Sequence, residues 1–159
     1  MGMGRLVNIY QTLENKGTDE EIRSHGPFFS SNFDDQGRRR LGVKIPWFGP
    51  GYYFWDTYIE DAHWWGRVAK NNDYVIYGSS YDLHSPYVLD FTENSQRKDI
   101  DDCARLICEK LLPPGAKLTF PLLLAYLRKM NDNQIKAVRI QPEPCRNKQP
   151  EKTPYLVMP

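Results

Sequence analysis

The chain has 159 residues, enough for one domain with its own hydrophobic core and too few for two. Its 21 basic and 20 acidic side chains leave a formal net charge of +1, which argues against nucleic acid held by bulk charge, and no apolar run approaches the ~20 residues needed to cross a membrane. Aromatic residues make up 13%, led by 10 Tyr, a side chain that suits ligand pockets and interfaces as well as cores.

In chain order, Leu6 to Tyr10 (LVNIY) reads as a first strand and Gln11 to Thr18 as a polar connection. Thr18-Asp19-Glu20-Glu21 has the form of a capped helix start, and Gly26-Pro27 stops that helix early. Ser30 to Arg40 is a polar, glycine-containing loop ending in three arginines. Trp47 to Gly66 (WFGPGYYFWDTYIEDAHWWG) is the densest aromatic stretch. Gly51 to Trp55 reads as a strand that sends Tyr52 and Tyr53 to opposite faces, and Tyr58 to Ala69 as a helix packing Ile59, Ala62, Trp65 (or His63) and Ala69 inward. Tyr74 to Tyr77 and Tyr87 to Phe91 are further strands, the first leading into a turn at Gly78-Ser79-Ser80. Helices follow over Asp99 to Leu112 and from Thr119 to about Met130, then a strand over Ile135 to Ile140. The proline-rich tail from Gln141 reads as an extended arm with a last edge strand at Tyr155-Leu156-Val157. The sum is an α+β domain over 1–141 with a C-terminal arm over 142–159, without internal repeats.

Several chemistries are excluded by pattern. Cys103, Cys108 and Cys145 form no CxxC pair and have no His at zinc-ligand spacing, and no two His lie at i, i+4, so no metal site is expected. Reduced thiols, together with an N-terminus (MGMGRLVNIY) that lacks the apolar region of a signal peptide, point to a cytoplasmic location. No GxSxG elbow or Walker loop occurs. Gly49-Pro50-Gly51 precedes a strand, so it is not a Rossmann fingerprint. Glycines ahead of bulky rings do allow a ligand to approach the backbone closely.

Phe48-Gly49-Pro50-Gly51-Tyr52-Tyr53-Phe54, followed by a helix with Ala62 and Trp65, resembles a motif of the ADP-ribosyltransferase superfamily. The likeness is to the class that includes the poly(ADP-ribose) polymerases, diphtheria toxin and small bacterial relatives. Three more pieces occur in the family's order: Tyr10-Gln11-Thr12, Tyr87 to Phe91 (YVLDF) and Asn133-Gln134-Ile135. The resemblance implies split antiparallel sheets with flanking helices, with NAD, as substrate, in a cleft between the two sheets. It further implies transfer of ADP-ribose to an acceptor, a protein or another group, with release of nicotinamide. Tyr53 then stacks on nicotinamide, Thr12 and the Gln11 backbone hold its amide, Gly51 lets the ligand approach, and Arg39 within Arg38 to Arg40 is a candidate for the pyrophosphate. Gln134 stands where active polymerases carry a glutamate, and Gln11 where the family has a histidine. A glutamine carries no charge to stabilise an oxocarbenium-like transition state, so Glu143 is the candidate replacement carboxylate. Two alternatives stand beside transfer: an inactive relative that binds a protein or nucleotide-like ligand through the same aromatic cleft, and an unrelated α+β interaction module.

Overall fold

A computed structural model describes residue 4, residues 6–46 and 48–141, and the backbone of 155–158. The elements in chain order are β1 (Leu6–Glu14), α1 (Asp19–His25), β2 (Tyr52–Asp56), α2 (Ile59–Ala69), β3 (Tyr74–Asp82), β4 (Val88–Asp90), α3 (Asn94–Lys110), α4 (Phe120–Met130), β5 (Ala137–Ile140) and β6 (Tyr155–Met158). The α+β class expected from the sequence is what the elements form. The strands make one six-stranded sheet in the order β3-β1-β2-β6-β5-β4, antiparallel throughout except for the parallel pair β4–β5.

Local chemistry accounts for several boundaries. Thr18 and Glu21 form a capping box at α1: Thr18 Oγ1 accepts from Glu21 N at 3.2 Å, and Glu21 Oε2 accepts from Thr18 N at 2.7 Å. At the end of α4, Asn131 Nδ2 donates to Leu127 O at 2.7 Å. Helix α3 starts at Asn94, ahead of the expected Asp99, because nothing in the polar run before it breaks a helix and Gln96 is anchored by accepting from Asp90 N at 3.0 Å.

Tertiary pairing overrides local signals in two places. β1 continues through the polar residues Gln11 to Glu14, and β3 continues through Gly78-Ser79-Ser80, because the two strands pair along their whole length from Leu6↔Asp82 to Glu14↔Tyr74. Gly78 lies opposite Tyr10, whose ring is 3.8 Å from where a Cβ would sit.

The strand expected at the edge, 155–157, is an inner one. β6 pairs with β2 on one side and β5 on the other, so it joins β3-β1-β2 to β5-β4. The tail therefore contributes to the sheet, and the seam where two separate sheets were expected to part is bridged by backbone.

The two sides of the sheet differ. On one side, Ile9, Phe54, Leu83, Val88 and Ala137 form a core with Val7, Tyr52, Tyr77 and Tyr81 against it. On the other, α2 covers β1 and β2, and α3 and α4 bury Ile100, Ile107, Leu123, Leu127 and Ile135 with Val138 of β5. Helix α2 lies so close to β3 that a Cβ on Gly66 would come within 2.4 Å of the Tyr74 ring. A buried ion network also crosses the seam. Arg139 Nε donates to Asp56 Oδ2 at 2.7 Å, and its Nη1 donates to Asp90 Oδ2 at 3.1 Å. Burial disfavours the guanidinium charge, but hydrogen bonds and charges from Asp56 and Asp90 outweigh that and raise the Arg139 pKa. No helix of the described residues is long and apolar enough to cross a membrane.

Candidate functional site

Gly49 adopts φ 91°, which closes a turn in which its N–H donates to Pro46 O at 3.1 Å. Gly51 is tied through both backbone groups to Ser30, at 2.8 and 3.0 Å. Tyr52 and Tyr53 take opposite faces, as alternation requires. Tyr52 packs edge-on against Phe29 in the first core, at 5.1 Å between ring centroids. Tyr53 points to the α2 side. Its hydroxyl donates to Gly49 O at 2.6 Å and accepts from Phe48 N at 3.0 Å, and its ring runs nearly parallel to Phe48, with centroids 6.4 Å apart. Burial raises the Tyr53 pKa against the opposing effect of the Phe48 N–H bond. One ring partner of Tyr53 is thus internal, and its hydroxyl holds the glycine turn in place.

β1 and β2 pair only at Ile9↔Asp56 and Tyr10↔Trp55. Beyond Tyr10 the Gln11 carboxamide fills the space between them. It donates to Phe28 O at 2.8 Å and to Tyr53 O at 3.3 Å, and accepts from Phe28 N at 2.7 Å. Gln11 thereby pairs with a backbone amide of its own chain. Thr12, on the opposite face, donates from Oγ1 to Ala62 O at 2.7 Å and fastens β1 to α2. Thr12→Val should cost about 1–2 kcal/mol, read by chemical denaturation, because a buried hydrogen bond goes with little change of shape; an unchanged midpoint would contradict that role.

The remaining sequence candidates do not join this group. Gln134 is exposed in the turn before β5, where its N–H donates to Asn131 O at 2.9 Å. Arg39 is exposed and bridges by backbone to Phe33. Glu143 lies outside the described residues. Among the described residues no group of three or more His, Cys, Asp or Glu is arranged to hold a metal.

The α2 side also carries the tryptophans of the dense aromatic stretch, together with an acid that the sequence alone did not single out. Trp55 of β2 meets Trp64 at 6.2 Å and Trp65 at 6.3 Å, and the two helix indoles are 6.0 Å apart. Asp61, three and four residues before them on α2, has a buried Oδ2 with no hydrogen-bond partner. Burial, and then the charge of Glu60, raise the Asp61 pKa above its ordinary value. A buried carboxylate oxygen without a donor is costly and rare. An acidic residue one turn before paired tryptophans was a visible signal, but the missing donor only appears in three dimensions. His63 is accounted for within the fold, with Nδ1 2.9 Å from the Tyr74 hydroxyl. Comparison with protein-family models, curated proteins and solved structures finds no match for this chain.

Proposed function

We propose that the chain is an ADP-ribosyltransferase-like domain that binds NAD on the α2 side of β1 and β2. The nicotinamide ring sits against the Trp55, Trp64 and Trp65 cluster, within reach of Asp61. The observation that carries this reading is the orphaned Asp61 Oδ2 on α2, three and four residues before the two helix indoles that pack with Trp55. Nicotinamide in NAD is a flat cation bearing an amide N–H2. Indole faces attract a cation, and a buried carboxylate lacking a donor accepts from an amide. The order of the four sequence pieces along the chain supports the same reading.

Fit to the ligand is partial. Asp61, Tyr53 and the indoles suit a cationic aromatic amide. The Gln11 carboxamide is already paired with Phe28, and Gln134 supplies no charge. In ADP-ribose transfer the nicotinamide–ribose bond breaks, its electrons leave with nicotinamide, and positive charge builds on the ribose before the acceptor attacks. Without a carboxylate at that ribose, the loss is about 3 kcal/mol or more, so transfer is slow relative to binding. That favours the second reading, a relative that binds NAD or a similar nucleotide and does little chemistry.

Calorimetry with NAD, with released nicotinamide followed in the same sample, separates the two. Binding with release, lost in Tyr53→Ala, supports transfer. Binding without release supports the silent relative. No binding by the wild type sinks both. Asp61→Asn adds a test with opposite signs. An acid whose folded pKa is raised stabilises the fold only at low pH, and that contribution is lost as pH rises through the folded value. Asp61→Asn should therefore melt higher than wild type at pH 7, converge with it below about pH 4, and bind NAD more weakly. A variant that melts lower at pH 7 would give Asp61 an ordinary structural role.

A further inference from the structure

On the face of the sheet away from α2, Val7 of β1, Thr57 after β2, the residues after β3, β4, the start of α3 and Arg139 of β5 enclose a cleft of about 650 Å³, within the range of small-molecule pockets. We infer that this cleft is a separate binding site for a small zwitterion of the aliphatic α-amino-acid class. The inference does not rest on the NAD reading.

Two walls carry the assignment. The polar wall holds Arg139, Gln96 and Glu93. Arg139 is fixed by Asp56 and Asp90 through Nε and Nη1, and its Nη2 makes no hydrogen bond to the described residues. Gln96 Oε1 accepts from Asp90 N, which leaves its Nε2 donors for the cleft. Glu93 is exposed, and its side chain does not cap α3. The apolar wall is Val7, Leu83 and Val88.

Charge then selects the ligand. The lining holds two carboxylates, Asp90 and Glu93, and one guanidinium, Arg139, which is already paired with Asp90 and with the buried Asp56 behind it, so a phosphate or other free anion meets net repulsion. A simple amine satisfies Glu93 but leaves the Arg139 and Gln96 donors unmet. A zwitterion answers both: its carboxylate accepts from Arg139 Nη2 and Gln96 Nε2, its ammonium faces Glu93, and an aliphatic side chain covers the apolar wall. Thr57, also lining the cleft, gives independent support. It is β-branched yet held at φ 70°, and its Oγ1 hydrogen-bonds Asp56 Oδ1. Such backbone outliers persist where surrounding structure dictates them and concentrate at ligand sites.

The test is an NMR titration of the full chain, following the backbone amides of Leu83, His84 and Val88 in the cleft wall. Probes are L-leucine, its amine fragment 3-methylbutylamine and its acid fragment 4-methylpentanoate. The expected result is saturable binding of leucine, with each fragment about tenfold or more weaker because each forfeits one charge-assisted contact. Glu93→Gln and Gln96→Glu should weaken leucine several-fold while melting like the wild type. No saturable shift with leucine, fragments that bind as tightly as leucine, or shifts that persist in both variants would overturn the assignment.

Discussion

Ending the chain at residue 141 is expected to abolish the cooperative fold. β6 is hydrogen-bonded on both edges, from Tyr52↔Met158 to Trp55↔Tyr155 on the β2 side and from Val138↔Val157 to Ile140↔Tyr155 on the β5 side. Removing it leaves both neighbouring strands with unpaired backbone groups in the middle of the sheet. Each such group, if it stays buried, costs about 1–3 kcal/mol, and several together match the whole stability of about 5–15 kcal/mol of an ordinary domain. The same seam gives a single-residue test. Val157 pairs with Tyr53 on one side and Val138 on the other. Val157→Pro removes a ladder donor and should cost about 3 kcal/mol or more, whereas an edge strand would tolerate it. Thermal unfolding followed by circular dichroism reads both. A truncated chain that melts like the full one would mean that β6 is not integral to the sheet.

The second large effect is expected at Arg139. Its guanidinium is the charge partner of Asp56, which is 1% exposed, and of Asp90, which is 6% exposed. Arg139→Met should destabilise by about 3–5 kcal/mol, because two carboxylates remain buried without their cation. The network as a whole is worth less than that figure suggests, since burying three charges is itself costly. The triple variant Asp56→Asn, Asp90→Asn, Arg139→Met should therefore recover much of the loss. Urea denaturation of the two variants decides this. An Arg139→Met protein within about 1 kcal/mol of wild type would mean that solvent or another group already compensates the carboxylates.

What the sequence revealed depended on how local the cause was. The capped start of α1 at Thr18, the start of α4 at Thr119 and the alternation of Tyr52 and Tyr53 are set within a few residues, and the structure shows each of them. Gln11 to Glu14 and Gly78 to Ser80 look like connections because they are polar or small, and only their pairing with each other makes them strand. Nothing in Tyr155-Leu156-Val157 distinguishes an inner strand from an edge, since that depends on where two distant strands leave a gap. The site divides in the same way. Tyr53 and Thr12 were singled out through the family resemblance, and both lie on the α2 side of the sheet. Gln134 was also named through the resemblance; it lies exposed in the turn before β5, apart from Tyr53 and Thr12. Asp61 and Arg139 were passed over because an orphaned oxygen and a seam-crossing ion network are properties of the packed chain.

We propose that a cationic nicotinamide ring is held against the indoles of β2 and α2. Saturation-transfer NMR on the wild-type chain with NAD tests it most directly. With the ring held there, protein saturation passes most strongly to the nicotinamide ring protons, and this transfer falls in Asp61→Asn. Transfer confined to the adenine protons, or none at all, would contradict it.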